Sequence, residues 1–502
     1  MNGLRKFTTP VILVLSFMCI YYLTVMYFKS TVNADFANSP IVYREFITHG
    51  VSALYDWRPT PDSWYFSVYP INFLLFFIMN DDGITPLVLS TVIFTFVIAV
   101  AFYKLTGSVT NKALASLVFA GVVFMPQIMY TLGYVQHPFA HNSTSAYGAL
   151  AFMLAAMSAK NNSVKITAMA SLLSFIAISS DMWLAPAYLL PLVFGEIFLL
   201  RGGNRSYAHI SIYLVVAVAG YLHVLPRIFN IDIQEVKIVG IDQMIVNFKM
   251  MLLIIGKTLN IFIIQSEMAW YASFCVWLVL LCYAVYSVFR MSDVMQYVAS
   301  LVVLSILGIS SSYILINQLI KPGSERFFVS LVPCAMAMCA FLCFKNKFRS
   351  VFVAVMCLFL ATSIASHFNG KMYDHRKYNE FQEYTSFLDR HDLTYGYGEF
   401  WHNSIEIDWL TGGRIKIIPV YGDLKYGINV ERVRPQTMRS WHTKSAIEKA
   451  PKRQFVAFSK GYVCPDVDVC TSLFVKKHGE PSEVLKWKYI TLYVYNDGLK
   501  FF

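Results

Sequence analysis

The chain has 502 residues, of which 57% are hydrophobic, 16% aromatic and only 14% charged, with a net charge of +11 and a mean hydropathy of +0.52. Soluble globular chains carry about 25% charged residues, so these figures exclude an ordinary soluble domain and indicate a polytopic α-helical membrane protein. The positive balance would suggest nucleic acid in a soluble protein, but here Lys and Arg held at cytoplasmic loops explain it better.

Val11 to Phe28 carries no charge and is long enough to cross a bilayer, which takes about 20 mostly apolar residues. Val32, Asn33 and Ala34 resemble a signal-peptide cleavage site. The apolar run exceeds a typical signal core, however, and a retained anchor helix with Arg5 and Lys6 inside is preferred. Asp35 follows the end of this span, at the head of a long outer loop (29–83). A carboxylate there can face a cavity between loop and bundle and act as a general base, or simply be solvated at a helix end. The same loop holds "DWRPTPDSWYFSVYPI", in which Asp56, Trp57, Arg58, Trp64 and Tyr69 offer flat faces, donors and acceptors suited to a sugar. An aromatic belt at the headgroup level is the alternative for that stretch.

Basic residues punctuate the apolar runs at Lys104 and Lys112, Lys160 and Lys165, Arg201 and Arg205, Arg290, and then Lys345, Lys347 and Arg349. Placing all of them in the cytoplasm requires about eleven transmembrane helices, near 11–28, 84–103, 113–132, 143–159, 165–180, 183–200, 207–226, 269–289, 295–316, 327–344 and 350–368. Residues 69–79 are too short to cross, and 244–265 carry Lys249 and Lys257. Both are expected as helices lying at the outer interface, the second within a large outer loop (227–268). The turn "QHPFAHNS" brings His137 and His141, whose spacing suits a metal only on a helix, and Pro138 argues against one there. Asp181, in "SSDMWLAP", lies at the tip of a tight outer hairpin. In "IKPGSERFF", Lys321 and Arg326 can hold a lipid-linked phosphate, Arg bidentately, or can snorkel to the headgroups.

The transmembrane module is expected to end at 369. Residues 370–502 change character: "RIKIIPV", "RQFVAFS" and "YITLYVYN" alternate as strands, and "NEFQEYTSFLDRH" has helical spacing, giving a C-terminal periplasmic α/β domain. Seven of the nine cysteines fall in apolar segments. Cys464 and Cys470 lie in polar sequence, where an oxidising compartment favours a disulfide. No GxGxxG or GxxxxGK[ST] nucleotide signature is present, so an enzyme on the outer face would need a donor already carried across on a lipid.

The single N-terminal span, Asp35 heading a long loop, "YPINFLLFF" as an interfacial helix, an odd number of spans and an outer C-terminal domain together resemble the GT-C superfamily of polyprenyl-phosphate-sugar glycosyltransferases. The likeness extends to bacterial serotype-converting glucosyltransferases that decorate O-antigen. In the tail, "YGYGEFWHNSIEIDWLTGGRIKIIPV" and "HGEPSEVLKWKYITLYVYN" look like the soluble domain of such relatives. The resemblance implies an inverting transfer of a sugar, glucose in the serotype-converting enzymes, to a surface polysaccharide acceptor at the periplasmic face of the bacterial inner membrane. Asp35 would be the catalytic base, and Arg326 with Lys321 the donor-phosphate cations. Asp56, Trp57, Arg58, Trp64, Tyr69, His137, His141 and Asp181 would meet sugar or acceptor. A donor synthase and a flippase are the implied partners, besides membrane lipids. Family members often carry an acidic pair in the first loop. Here Asp35 has no acidic neighbour, a poor divalent site, so no cofactor and no metal site are expected, although divalent-metal dependence stays open. A lipid-linked sugar flippase or transporter and an O-antigen polymerase are the rival readings.

Overall fold

The computed structural model describes residues 2–60, 62–134, 140–201, 203, 205–233, 237–291, 293–317, 324–344, 347–368, 375–401, 404–423, 425, 427–459 and 466–499. His137, Lys321 and Cys464 lie outside the described residues. Six described helices are long and apolar enough to cross a membrane: Pro10–Thr31, Ile84–Val109, Glu267–Val288, Val294–Ile316, Ser324–Cys343 and Arg349–Ser366. The chain is a multi-pass membrane protein on that ground.

The expected count of eleven spans is therefore not reached by length and apolarity. Lys112–Val123 has 12 residues, about 18 Å of helix, against a hydrocarbon core of about 30 Å. Its expected continuation to residue 132 is instead broken into a π-helical turn at Met129–Tyr134. Val164–Ile178 and Tyr207–Tyr221 have 15 residues each, and a π-turn over Ala185–Leu189 precedes the short helix Leu190–Arg201. Ala140–Asn161 is longer, at 22 residues, but its first turns carry His141, Asn142, Ser143, Thr144 and Ser145, all buried. Polar groups turned towards protein are what lower its apolarity. The two expected non-crossing helices are present as Tyr69–Met79 and Ile241–Thr258.

The bundle packs around Leu331–Cys343, in which every residue is buried. Helix Asn2–Thr31 lies at the periphery, with Val11, Ile12, Val14, Leu15 and Met18 exposed on one side, as a lipid-facing surface would be. Some helices approach too closely for any side chain: a Cβ on Gly308 would lie 2.1 Å from the carbonyl oxygen of Pro186. Arg205, expected at a cytoplasmic loop, is buried. It makes a two-pronged ion pair with Glu196 at 3.0 and 3.1 Å, and Tyr297 donates to the same carboxylate. A guanidinium can be buried when every donor has a partner, and here Ser158 and Asn162 take further ones.

The C-terminal domain is a six-stranded sheet flanked by helices. Its strands are β2 (Tyr395–Glu399), β3 (Lys416–Asp423), β4 (Gly427–Asn429), β6 (Gln454–Ser459), β7 (Glu483–Trp487) and β8 (Ile490–Tyr495), in the order β4-β3-β2-β6-β8-β7. The central pairs β2–β3 and β2–β6 are parallel, and the outer pairs antiparallel. Helix Arg376–Arg390 buries Phe381, Tyr384, Phe387 and Leu388, and Val467–His478 buries Cys470 and Phe474. The expected strands at 414–420, 453–459 and 489–496 correspond to β3, β6 and β8. The glycine-bearing central strand β2 was not foreseen; Gly396 is needed there because a Cβ would lie 2.6 Å from the Phe455 ring.

Two seams join this domain to the bundle. In the first, β1 (Trp57–Arg58), from the loop after the first span, pairs antiparallel with β5 (Thr437–Met438), matching Trp57 with Met438 and Arg58 with Thr437. In the second, Arg44 of helix Asn38–His49 is ion-paired with Asp82 and donates to the carbonyls of Asp408 and Trp409 at 3.1 and 3.0 Å. Trp409 in turn donates its indole N–H to the Asp82 carbonyl at 2.8 Å. Asp408 lies 3.5 Å from the Arg44 guanidinium. Burial pushes its carboxyl up to about 6, against the pull of Lys416 and Arg44.

The folded form therefore prefers Asp408 protonated. Its contribution to stability is full below the ordinary value of 3.8 and is lost as pH rises through about 6. Asp408→Asn mimics the neutral form. The variant should match the parent near pH 4 and gain on it as pH rises to 7, by up to about 3 kcal/mol. Thermal unfolding of both proteins across that range measures the difference, and a constant difference would show that Asp408 does not titrate at this seam.

Candidate active site

Asp35 sits in a short 3-10 turn, Ala34–Ala37, that follows the first span after Asn33. The Asn33 side chain accepts from the Asp35 N–H at 3.0 Å and so fixes where the carboxylate leaves the backbone. Asp35 is only 6% exposed. The Gln436 amide of the C-terminal domain donates to Asp35 Oδ1 at 2.8 Å. The Gln436 carbonyl accepts from Asn38 at 3.3 Å, and Asn38 accepts from the Tyr69 hydroxyl at 2.7 Å. All four residues are buried, so a continuous file of hydrogen bonds leads from Asp35 to Tyr69.

Gln436 holds its place at a backbone cost. Its φ is +64°, a region that non-glycine residues seldom adopt. Its N–H donates to the Arg58 carbonyl at 2.7 Å, next to the β1–β5 pair. Strain of this kind persists where surrounding bonds over-determine it, and it clusters at functional sites. Lys377 and Arg434, also from the C-terminal domain, lie within electrostatic reach of Asp35.

A second centre gathers residues from four elements. His141 Nδ1 lies 2.9 Å from Asp181 Oδ2. A carboxylate only accepts, so Nδ1 carries the hydrogen. Thr144 donates to the same oxygen at 2.7 Å, and the Trp183 N–H to the other at 2.9 Å. Burial raises the Asp181 carboxyl, but the His141 charge and these bonds outweigh it and hold the group below its ordinary value. Asp62 accepts from the Trp64 indole at 3.1 Å. Its carboxyl is raised by burial, which the charges of His141 and Arg326 only partly oppose. Two carboxylates pushed in opposite directions are the pattern of an acid and a base sharing one site. The Ser63 N–H donates to the Ser180 carbonyl, and the Phe66 and Ser67 N–H groups to the Ser180 hydroxyl. These bonds hold the Asp62 segment against the Asp181 turn. Phe327, beside Arg326, packs on both His141 and Trp183 with ring centroids 4.8 and 4.9 Å apart.

The structure thus brings His141, Asp181 and the neighbourhood of Arg326 together, and adds Asp62, Thr144, Gln436, Lys377 and Arg434, which sequence reasoning did not assign. It corrects the expected sugar platform. Trp57, Trp64 and Tyr69 are 1%, 4% and 3% exposed, so their faces are packed against protein. Asp56 accepts from the Ser440 N–H and hydroxyl, and Arg58 donates to the Val433 carbonyl at 2.8 Å. Both therefore belong to the seam with the C-terminal domain. Cys470 is disulfide-bonded; Cys464 lies outside the described residues. Among the described residues, no three His, Cys, Asp or Glu side chains are grouped to hold a metal ion.

No family model and no curated protein matches the sequence. Among solved structures, the chain is similar to the oligosaccharyltransferase of Archaeoglobus fulgidus. One such structure, a complex with zinc and sulfate, is 11% identical with a TM-score of 0.46, over 88% of this chain and 67% of that one. Another, tethered by a disulfide to an acceptor peptide containing the NVT sequon, is 11% identical with a TM-score of 0.45, over 91% and 70%. A likeness this distant assigns neither activity nor substrate, so the functional reading rests on the site itself.

The backbone strain at Gln436 is measurable. Gln436→Ala removes the amide but keeps a Cβ at positive φ, whereas Gln436→Gly removes both. The glycine variant should be the more stable by about 1 kcal/mol, read from thermal unfolding midpoints. An alanine variant equal to or better than glycine would show that the left-handed backbone is unstrained.

Proposed function

We propose that this protein is an inverting glycosyltransferase of the GT-C type, which moves a sugar from a polyprenyl-phosphate carrier to a surface glycan at the outer face of the bacterial inner membrane. The observation that carries this reading is the placement of Asp35. A buried carboxylate stands where the first span meets a folded domain, joined to it and to Tyr69 by a file of hydrogen bonds. A lipid carrier delivers its phosphate and sugar to that level of the membrane. A flippase would have no need to hold a carboxylate under a separate domain.

In this reading Asp35 takes the proton of an acceptor hydroxyl as its oxygen attacks the anomeric carbon. The bond from that carbon to the phosphate oxygen breaks, its electron pair leaves with polyprenyl phosphate, and displacement from the opposite face inverts the centre. The Asp62, His141 and Asp181 group offers charged and neutral hydrogen-bonding partners for sugar hydroxyls. Departing phosphate needs a cation, which sequence reasoning placed at Arg326 and Lys321. Glucose as the sugar and O-antigen as the acceptor follow from the family resemblance. So do a partner synthase and flippase, a cytoplasmic N-terminus and a periplasmic C-terminal domain.

Asp35→Asn tests the assignment cleanly, because the asparagine carbonyl can still accept from Gln436. The variant should insert and fold normally. Its release of polyprenyl phosphate from polyprenyl-phosphate glucose, with glycan acceptor present, should fall about 100- to 10,000-fold. Turnover within a few-fold of the parent would remove Asp35 from the mechanism.

A further inference from the structure

The residues Arg434, Pro435 and Gln436 run directly into β5; Gln436 reaches Asp35, and the Arg434 charge acts on it. Gln436 is its hydrogen-bond donor. Arg434 is held differently: its guanidinium lies 3.8 Å from the Phe400 ring centroid and 5.8 Å from that of Tyr421, a stacked setting that fixes the plane of the fork. Burial lowers its pKa to about 10, with the charges of Tyr421 and Asp35 opposing, so it stays cationic at neutral pH. Its Nη1 is buried and has no hydrogen-bond partner among the described residues. Leaving a charged donor buried and unpaired is costly, so an unmatched one calls for a partner such as water, an ion or a ligand.

Lys377 approaches from a second element, the first turn of helix Arg376–Arg390. The residue keeps solvent-exposed surface, while protein crowds its ammonium. Desolvation lowers its ammonium pKa, while Glu406, Glu380 and Asp35 oppose the shift. Both cations feel the Asp35 charge. In an in-line displacement the base and the leaving group stand on opposite sides of the reacting carbon, so a phosphate seat belongs near the base without touching it. Arg326, by contrast, acts on Asp62 at the second centre.

We propose that Arg434 and Lys377 of the C-terminal domain form an anion seat beside Asp35 that takes the phosphate of the polyprenyl carrier. The guanidinium engages two phosphate oxygens at once, and the ammonium meets the group from the second element. The identity of the carrier rests on the glycosyl-transfer reading; the binding of a phosphate does not. Arg326 is then released from the phosphate role expected of it.

The test measures the affinity of full-length protein, in nanodiscs of neutral phospholipid, for polyprenyl phosphate, polyprenol and inorganic phosphate, with a parallel set of discs made from anionic phospholipid. The parent should bind polyprenyl phosphate and discriminate against polyprenol. Arg434→Gln should weaken polyprenyl phosphate about 10- to 100-fold, more than Arg326→Gln does, Arg434→Lys by less, and Lys377→Gln measurably. Inorganic phosphate bound with the same Arg434 dependence supports the seat and shows that the lipid tail adds little. Equal competition by anionic phospholipid through Arg434 would make the occupant a membrane headgroup and overturn the carrier assignment. Unchanged affinity in a folded Arg434→Gln protein overturns the proposal, as does a loss confined to Arg326→Gln. If Arg434→Gln does not fold, Lys377→Gln decides, because that residue keeps solvent-exposed surface, and an unchanged affinity there overturns the seat. A parent that binds polyprenyl phosphate through Arg434 but transfers no sugar keeps the seat and refutes the glycosyltransferase. Transfer with binding independent of Arg434 and Lys377 does the reverse.

Discussion

Taking a carboxylate out of water costs several kcal/mol unless other donors replace the solvent, and Asp35 is 6% exposed. A donor for it comes from Gln436, far along the chain. Gln436 is held in reach by its own backbone bond to Arg58, in the loop that Asp35 begins. The environment of this carboxylate and the docking of the C-terminal domain are thus one structural fact. Whatever loosens the β1–β5 seam also changes what surrounds Asp35. The Arg44 clamp on Asp82, Asp408 and Trp409 is a second tie between the same two parts of the chain.

Much of this was legible in the sequence, for identifiable reasons. Long uncharged runs such as 11–28 and 84–103 have no alternative to a membrane, and alternation over "QFVAFS" and "ITLYVY" has none to a strand. Helices that pack among other helices are harder to read. Ala140–Asn161 hides five consecutive polar residues against protein, and the broken segment at 112–134 replaces a regular crossing with a π-turn. Asp35 could be picked out because a lone acid just beyond an apolar span is conspicuous. Asp62, His141 and Asp181 could not be grouped, since their meeting depends on the stitching of Ser63, Phe66 and Ser67 to Ser180. Gln436 carries no local signal at all. Trp57 and Trp64 show the opposite error: aromatics in a polar loop suggested a binding face, but the loop folds inward and buries them.

The charged groups of the bundle illustrate two ways of holding charge away from water. Glu196 and Arg205 satisfy one another in full, with Tyr297, Ser158 and Asn162 completing their bonds. Such a closed network ties neighbouring helices and offers nothing to a ligand. The cations around Asp35 are arranged otherwise, for Arg434 keeps a buried donor unmatched and Lys377 keeps solvent-exposed surface. Charge alone, read from composition, could not have separated these two uses.

The two halves of the chain contribute complementary chemistry. Acidic and imidazole groups come from the membrane half: Asp35, Asp62, His141 and Asp181. Gln436 and the cations Lys377 and Arg434 come from the C-terminal half. Neither half holds a complete site, and the buried file Asp35–Gln436–Asn38–Tyr69 crosses from one to the other and back. A donor with a phosphate beside its reacting sugar needs this combination, an acceptor of protons on one side and a positive seat on the other. In the proposed transfer, a site built across the seam meets the lipid carrier from the membrane and the acceptor from solvent.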